Sequence, residues 1–409
     1  MRKNNSKHYS RRNFSPGRRR NSGGGGRPGG RSRYQGRGGP KLSPLDISSF
    51  INKAAIITEK VEHFVPEHQF SDFKIDARII RTLEKNGYQQ PTPIQDKIIP
   101  HILNGRDVVG LANTGTGKTA AFLLPLIQRF VAAKDKQALI LTPTRELALQ
   151  IDQEFRIFSR GLGLYSVVCV GGANINTQIR ELRYFNNLII GTPGRTIDLI
   201  NRKCLRLGEI ATVVLDEADQ MLDMGFINDI RLIMTHVPKE RHTLCFAATM
   251  SRTIEGLIQN FLNNPITISV KTQDTSKNVE QDIVKVRGLD KVEMLHNILN
   301  DPEFKKVLVF GRTKHGVEKL SKKLLSRGFK AESIHGNKSH GQRQRALKRF
   351  KENQSQVLVA TDVAARGLDI DSVSHVINYD LPATYDDYIH RIGRTGRGTK
   401  KGKALTFVE

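Results

Sequence analysis

Short apolar runs, each about one strand long and separated by amphipathic stretches, constrain this chain more than any other feature. They lie at 107–111, 138–141, 166–170, 187–190, 212–215, 243–246 and 266–270, and again at 283–286, 307–310, 331–334, 356–360, 375–378 and 404–408. Such runs, apolar at successive positions, read as strands covered on both faces. Helical periodicity fills the gaps at 145–158, 251–261, 314–326, 340–352 and 385–391. Strands alternating with helices predict βαβ units and mostly parallel sheets. A polar stretch at 271–281 breaks the series and reads as a linker. The expectation is an α/β protein with two parallel-sheet domains in tandem, at 68–270 and 282–409. Pro125 is expected to kink the helix that opens near Lys118. A closing helix would be expected after the last strand.

Charge points to the partner. Sixty-five Lys and Arg against forty Asp and Glu give a formal charge of +25. Thirteen of those cations fall in residues 1–41, which hold no acid, leaving +12 for the rest. Both parts favour a polyanion, most simply nucleic acid. Residues 1–45 are rich in Arg, Gly, Ser and Asn and nearly free of aliphatics. Burial there cannot offset ordering entropy, so a disordered basic tail is expected. Arg31, Arg33, Tyr34 and Arg37 mix cations with an aromatic, as suits sequence-tolerant RNA contact. Residues 46–67 read as a connector. Cys169, Cys204 and Cys245 are scattered without metal or disulfide spacing. No run approaches a membrane span, and the N-terminus lacks an apolar signal core. The expectation is a cytoplasmic protein, acting as a monomer.

Two stretches carry the chemistry. Thr212-Val213-Val214-Leu215 ends in Asp216-Glu217-Ala218-Asp219, three carboxylates within four positions. Acids at the carboxyl end of a buried parallel strand sit where open α/β sheets bind ligands. They repel one another unless a cation lies among them. Upstream, Ala112-Asn113-Thr114-Gly115-Thr116-Gly117-Lys118-Thr119 follows a strand and opens a helix. That is the context of a phosphate loop, although Ala112 stands where its first glycine usually does. Gly115 and Gly117 let backbone N–H groups approach phosphates at a helix N-terminus. Lys118 would reach the β and γ phosphates, and Thr119 with Asp216 would hold Mg2+. Glu217 would polarise the attacking water.

With Pro143-Thr144-Arg145-Glu146-Leu147, Thr192-Pro193-Gly194-Arg195, Ala360-Thr361-Asp362 running to Asp369, and His390-Arg391-Ile392-Gly393-Arg394-Thr395-Gly396-Arg397, these motifs resemble the DEAD-box ATP-dependent RNA helicases from about residue 68 onward. The resemblance implies two RecA-like domains, ATP and Mg2+ as cofactors, and RNA-stimulated ATP hydrolysis. It implies local, non-processive separation of short duplexes or remodelling of ribonucleoproteins. Gln95, in Pro91-Thr92-Pro93-Ile94-Gln95, is implied to read adenine, and an amide can pair with its N6 and N7 edge. Phe70 is implied to stack on the base, although alone it reads as a core anchor. Thr114, Gly115, Thr116, Gly117, Lys118 and Thr119 would cradle the nucleotide and Asp369 its ribose. Pro143, Thr144, Arg145, Gly172, Thr192, Pro193, Gly194 and Arg195 would grip the RNA backbone from the first domain. Arg312, Thr313, Gly336, Thr361 and Asp362 would do so from the second. Arg394 and Arg397 would be arginine fingers, alongside the catalytic Lys118, Asp216 and Glu217.

Two departures stand out. Ala247-Ala248-Thr249 replaces the family's usual Ser-Ala-Thr. That triad is implied to couple Asp219, with His390 and Arg391, to strand separation. Loss of the serine hydroxyl would weaken coupling, most of all if it leaves Asp219 buried and unpaired. Restoring serine at 247 is then expected to raise unwinding per ATP. His340 stands where the family often has Gln, with Arg343 retained. The alternative reading is an ATP-gated RNA clamp or chaperone with weak unwinding. A translocase on DNA is a second alternative.

Overall fold

The structure, a computed structural model, describes residues 64–113, 115–270, 279–286, 288, 290–365, 373–396 and 401–408. The basic tail, most of the connector, Thr114, Asp369 and Arg397 lie outside the described residues.

The first sheet contains β1 (Val108–Leu111), β2 (Gln137–Leu141), β3 (Ser166–Cys169), β4 (Leu188–Gly191), β5 (Ile210–Leu215), β6 (His242–Ala247) and β7 (Ile266–Ser269). Their order is β3-β4-β2-β5-β6-β1-β7, every neighbouring pair parallel. Side-chain alternation splits each strand between two cores. Val108, Ile140, Val214 and Phe246 face one, and Val109, Leu139, Val213 and Cys245 the other. This is why the strands read as unbroken apolar runs. The arrangement sends the ends of β1, β5 and β6 to one crevice, which places the phosphate loop beside the acids.

The second sheet contains β8 (Val279–Lys285), β9 (Val307–Phe310), β10 (Ala331–Ile334), β11 (Val357–Ala360), β12 (His375–Asn378) and β13 (Gly402–Val408). Its order is β10-β11-β9-β12-β13-β8, again parallel throughout. Two clusters cover its faces, with Leu308, Phe350 and Tyr388 in one and Val309, Leu324 and Phe407 in the other. The expected pair of parallel-sheet α/β domains is present.

One expectation shifts. The linker placed at 271–281 ends earlier, because β8 starts at Val279. Val279 and Gln281 point inward, and the Tyr388 hydroxyl donates to the Gln281 amide oxygen at 2.8 Å. A partnered glutamine holds an inward strand position, so polarity misread the boundary. Pro125 lies inside the helix Lys118–Ala132, which continues past it, the position at which a kink was expected. Among the described residues no helix is long and apolar enough to cross a membrane.

Candidate active site and nucleic-acid interface

The nucleotide side forms where β1 and β5 end. Gly115 and Gly117 have φ of 83° and 91°, a region open to glycine, and Gly117 caps the helix Lys118–Ala132. A Cβ on Gly117 would lie 2.5 Å from the Gln95 amide nitrogen, so glycine is needed there twice over. Lys118 is buried, and its ammonium donates to the Ala112 carbonyl at 2.7 Å. Thr116 donates to the Asn113 carbonyl, and Thr119 is half-buried.

The acids face that ammonium. Asp216 accepts from the Glu217 N–H at 3.0 Å and is pushed above its usual pKa, mainly by burial and against the pull of Lys118. Glu217 is pushed up to about 7 by burial and then by Asp216, with Lys118 and Arg394 opposing. Its Oε2 is buried without a hydrogen-bond partner, and its φ of 52° is left-handed. A non-glycine residue held there stores strain, which clusters at functional sites. Arg394 comes from the second domain and is itself buried. It lies close enough for its charge to act on Glu217 across the cleft.

The donor set suits Mg2+. Carboxylate and hydroxyl oxygens are hard ligands, and an orphaned buried carboxylate oxygen awaits a partner. Among the described residues no three His, Cys, Asp or Glu side chains gather to hold a metal by themselves. That fits a cation held by one carboxylate and substrate phosphates.

Gln95 is buried, with both ends of its amide engaged. Oε1 accepts from the Thr92 N–H at 2.9 Å, and Nε2 donates to the Gly117 carbonyl at 3.0 Å. One donor and one lone pair remain, enough for the adenine edge. Phe70 is 5% exposed and edge-on to Phe73 inside the core, so the anchor reading holds for its packing. Asp96 clamps the segment that carries it. The carboxylate accepts from the Glu67 and His68 N–H groups at 2.8 and 3.1 Å, and His68 Nδ1 lies 2.7 Å away.

On the neighbouring face Thr144 caps the helix Arg145–Phe158 by accepting from the Leu147 N–H. Thr192 and Pro193 start the helix Pro193–Asn201, with Gly194 exposed beside them. The Arg145 guanidinium fills the space over Gly172, where a Cβ would collide with it. Burial, then Arg343 and Arg195, push Arg145 below its usual value. Arg343, from the second domain, lies 3.0 Å from Glu146 Oε1. The contact is an ion pair without hydrogen-bond alignment, since that oxygen has no hydrogen-bond partner. Arg145 therefore has two guanidiniums, Arg343 and Arg195, near enough for their charge to act on it.

Several expected RNA contacts are engaged internally. Arg195 donates to Gln178 Oε1 and the Ala173 carbonyl, lies 3.7 Å from Asp198, and braces the 171–178 loop. Asp362 gives both oxygens to Arg391. Arg391 also bonds Asn378 and the Asp380 carbonyl and covers the Phe310 ring. This pair is a brace inside the second domain, so here Asp362 and Arg391 are engaged with each other. A bidentate carboxylate–guanidinium pair is the stronger claim on both groups. Thr313 caps the helix Lys314–Ser326, Arg312 and Gly336 are exposed, and Thr361 is half-buried. His390 and Arg394 line a small crevice with Asp387.

At the departure of Ala247, Asp219 is not left unpaired. Asp219 Oδ2 accepts from the Ala248 and Thr249 N–H groups at 2.8 and 3.1 Å, and Oδ1 from Gln220 N–H at 3.0 Å. Both carboxylate oxygens are thus partnered by main-chain N–H groups. Ala247 is a buried core residue at the end of β6.

Comparison with known proteins agrees with this geometry. The DEAD/DEAH box helicase family pattern matches residues 92–257, and the helicase conserved C-terminal domain pattern matches 290–399. The chain is 46% identical over 343 residues to the ATP-dependent RNA helicase CshA of Listeria monocytogenes. The chain belongs to the DEAD-box ATP-dependent RNA helicase family. The match covers 83% of this chain and 66% of the length of that relative. S. cerevisiae Dbp5 bound to RNA and ADP BeF3 superposes with a TM-score of 0.74 at 31% identity, covering 83% of this chain and 89% of that one. Mss116p bound to ssRNA and AMP-PNP gives 0.75 at 29%, covering 83% and 73%. Within this DEAD-box frame the sequence motifs missed Asp96, His68 and the Glu146–Arg343 pair. Their partners lie far apart in sequence, so no local spacing announces them.

Proposed function

We propose that this chain is an RNA-stimulated ATPase that opens short RNA duplexes or remodels ribonucleoproteins locally. The observation that carries the reading is that the two domains meet beside the buried acids: Arg343 of the second lies 3.0 Å from Glu146 of the first, and buried Arg394 of the second is near enough for its charge to act on Glu217. A hydrolytic site split in this way is complete only when the domains meet. RNA spanning both would favour that meeting.

Gln95 selects adenine with its remaining donor and lone pair, and Phe70 supports the base from the clamped segment. Lys118 exchanges the Ala112 carbonyl for phosphate oxygens. Thr119 and Asp216 would hold Mg2+, which when bound neutralises phosphate charge. Glu217, as carboxylate, orients a water and accepts its proton while the water oxygen bonds to the γ phosphorus and ADP departs. Arg394, with Arg397 proposed beside it, offsets the developing negative charge. Such fingers typically contribute on the order of 10³–10⁵ in rate. Asp369 is proposed to hold the ribose.

The RNA backbone is proposed to lie along Arg145 and the helix starts at Thr144 and Thr192, then over Arg312, Thr313, Gly336 and Thr361. Arg145, Arg195 and Arg343 outnumber Glu146 and Asp198, and backbone contacts carry no base identity. Free, buried Cys169 and Cys245, whose thiols burial pushes up to about 12, suit a reducing cytoplasm. A monomer is proposed, since both halves of the site lie in one chain. ATP turnover with RNA and with single-stranded DNA of one sequence tests the substrate. RNA alone should stimulate, and equal stimulation by DNA would make the protein a DNA translocase instead.

A further inference from the structure

We infer that the surface at the N-terminal ends of β2, β3 and β4 is a second single-stranded RNA contact, holding RNA that has left the groove. Tyr165, Tyr184 and Phe185 are 63%, 73% and 47% exposed there. The only other exposed aromatics among the described residues are Phe64 and Tyr385, so three of the five share this surface.

The surface is built rather than incidental. Asn186 and Asn187 are buried side chains that tie its loops together. The Asn186 amide donates to the Tyr184 carbonyl at 2.9 Å. Asn187 accepts from the Tyr165 N–H at 3.2 Å and donates to the Lys134 and Lys136 carbonyls. The Leu188 N–H donates to the Tyr165 carbonyl at 3.1 Å. The aromatics therefore stand on a fixed base and lose little freedom when a ligand stacks on them. Lys134, Lys136, Arg160 and Arg183 are exposed on these loops and Arg180 at the end of the helix Ile175–Glu181, against Asp135 and Glu181.

A cationic surplus with exposed rings is the chemistry of sequence-tolerant single-strand binding. The same surplus disfavours this chain's own Arg-rich tail as occupant. The position fits as well. β3 is the terminal strand of its sheet, and it separates Tyr165 from Gly172 in the proposed groove. At strand rise that distance is on the order of 20 Å, a few nucleotides of extended RNA.

This inference rests on the proposed RNA-stimulated ATPase, and the test separates the two. Affinities for single strands of about 6 and about 20 nucleotides are measured by fluorescence anisotropy with a non-hydrolysable ATP analogue. The full chain is compared with the triple variant Tyr165→Ser, Tyr184→Ser, Phe185→Ser and with Arg160→Glu, Arg183→Glu. The expected result is that both variants lose roughly tenfold or more on the long strand. Both should keep the affinity for the short strand and the ATP turnover that it stimulates. Unchanged affinity for the long strand would overturn the inference and leave the ATPase reading standing. So would variants whose only change, in sedimentation velocity, is loss of self-association, which makes the patch a protein contact. If the short strand fails to stimulate the unmutated chain, both readings fall.

Discussion

Glu217→Gln isolates the energetic cost of the carboxylate proposed to orient the attacking water. Glu217 has an ordinary value of 4.5 and is pushed up to about 7 in the fold. A carboxyl whose pKa rises on folding binds its proton more tightly in the folded chain. The associated stability is fully present below about pH 4.5 and is lost as pH rises through about 7. At 1.36 kcal/mol per pH unit, the ionised group costs on the order of 3 kcal/mol at pH 8. Glutamine removes the charge beside Asp216 but adds a buried amide, whose unmet N–H returns about 1–3 kcal/mol. The absolute change is thus small, while its pH dependence is not. Urea denaturation without nucleotide, from pH 5 to pH 8, should show the variant gaining on the unmutated chain by about 2–3 kcal/mol across that interval. ATP turnover should be lost at every pH. A stability difference that does not change between pH 5 and pH 8 would refute the reasoning, because it would mean Glu217 is ionised in the fold at little cost.

Three further outcomes follow from other contacts. Arg343→Glu sets two carboxylates together at the cleft and should cut RNA-stimulated ATPase at least roughly tenfold, as loss of one partner of a buried ion pair does; adding Glu146→Arg should recover most of it, and failure of the double variant to recover would remove the pair from closure. Asp96→Asn weakens the hold on the Glu67–His68 segment by about one charge-assisted hydrogen bond, so the KM for ATP should rise roughly tenfold with kcat within about twofold; a fall in kcat at unchanged KM would contradict a base-positioning role. Ala247→Ser should change neither ATP turnover nor duplex separated per ATP by more than about twofold, because main-chain N–H groups already satisfy Asp219; a marked gain in separation per ATP would restore the coupling argument made from sequence.

The legible parts of this protein were local ones. β9 lies where its apolar run lies, because all four of its residues are apolar and buried. β12 also lies where its run lies, although His375 and Asn378 at its ends are buried polar side chains. β8 failed that test: Gln281 faces inward on a hydrogen bond to Tyr388, more than a hundred residues away. The nucleotide loop and the acidic strand end were readable because their chemistry needs fixed residue types at fixed spacing. Arg391 was readable as a motif but not as a brace, since its partner Asp362 depends on how the helices Asp362–Ala365 and Tyr385–Ile392 meet. The departure at Ala247 was visible, yet its consequence was not. Sequence shows a missing hydroxyl, but not the backbone N–H groups that serve Asp219 instead.

The central claim is that Arg394 completes, from the second domain, a site that RNA helps to close. Steady-state ATP hydrolysis titrated with single-stranded RNA, for the unmutated chain and for Arg394→Ala, tests it most directly. The account predicts a rate that rises saturably with RNA in the unmutated chain and a saturated rate at least about 10³-fold lower in the variant, at unchanged RNA half-saturation. A rate independent of RNA, or a variant that hydrolyses ATP as fast as the unmutated chain, would contradict it.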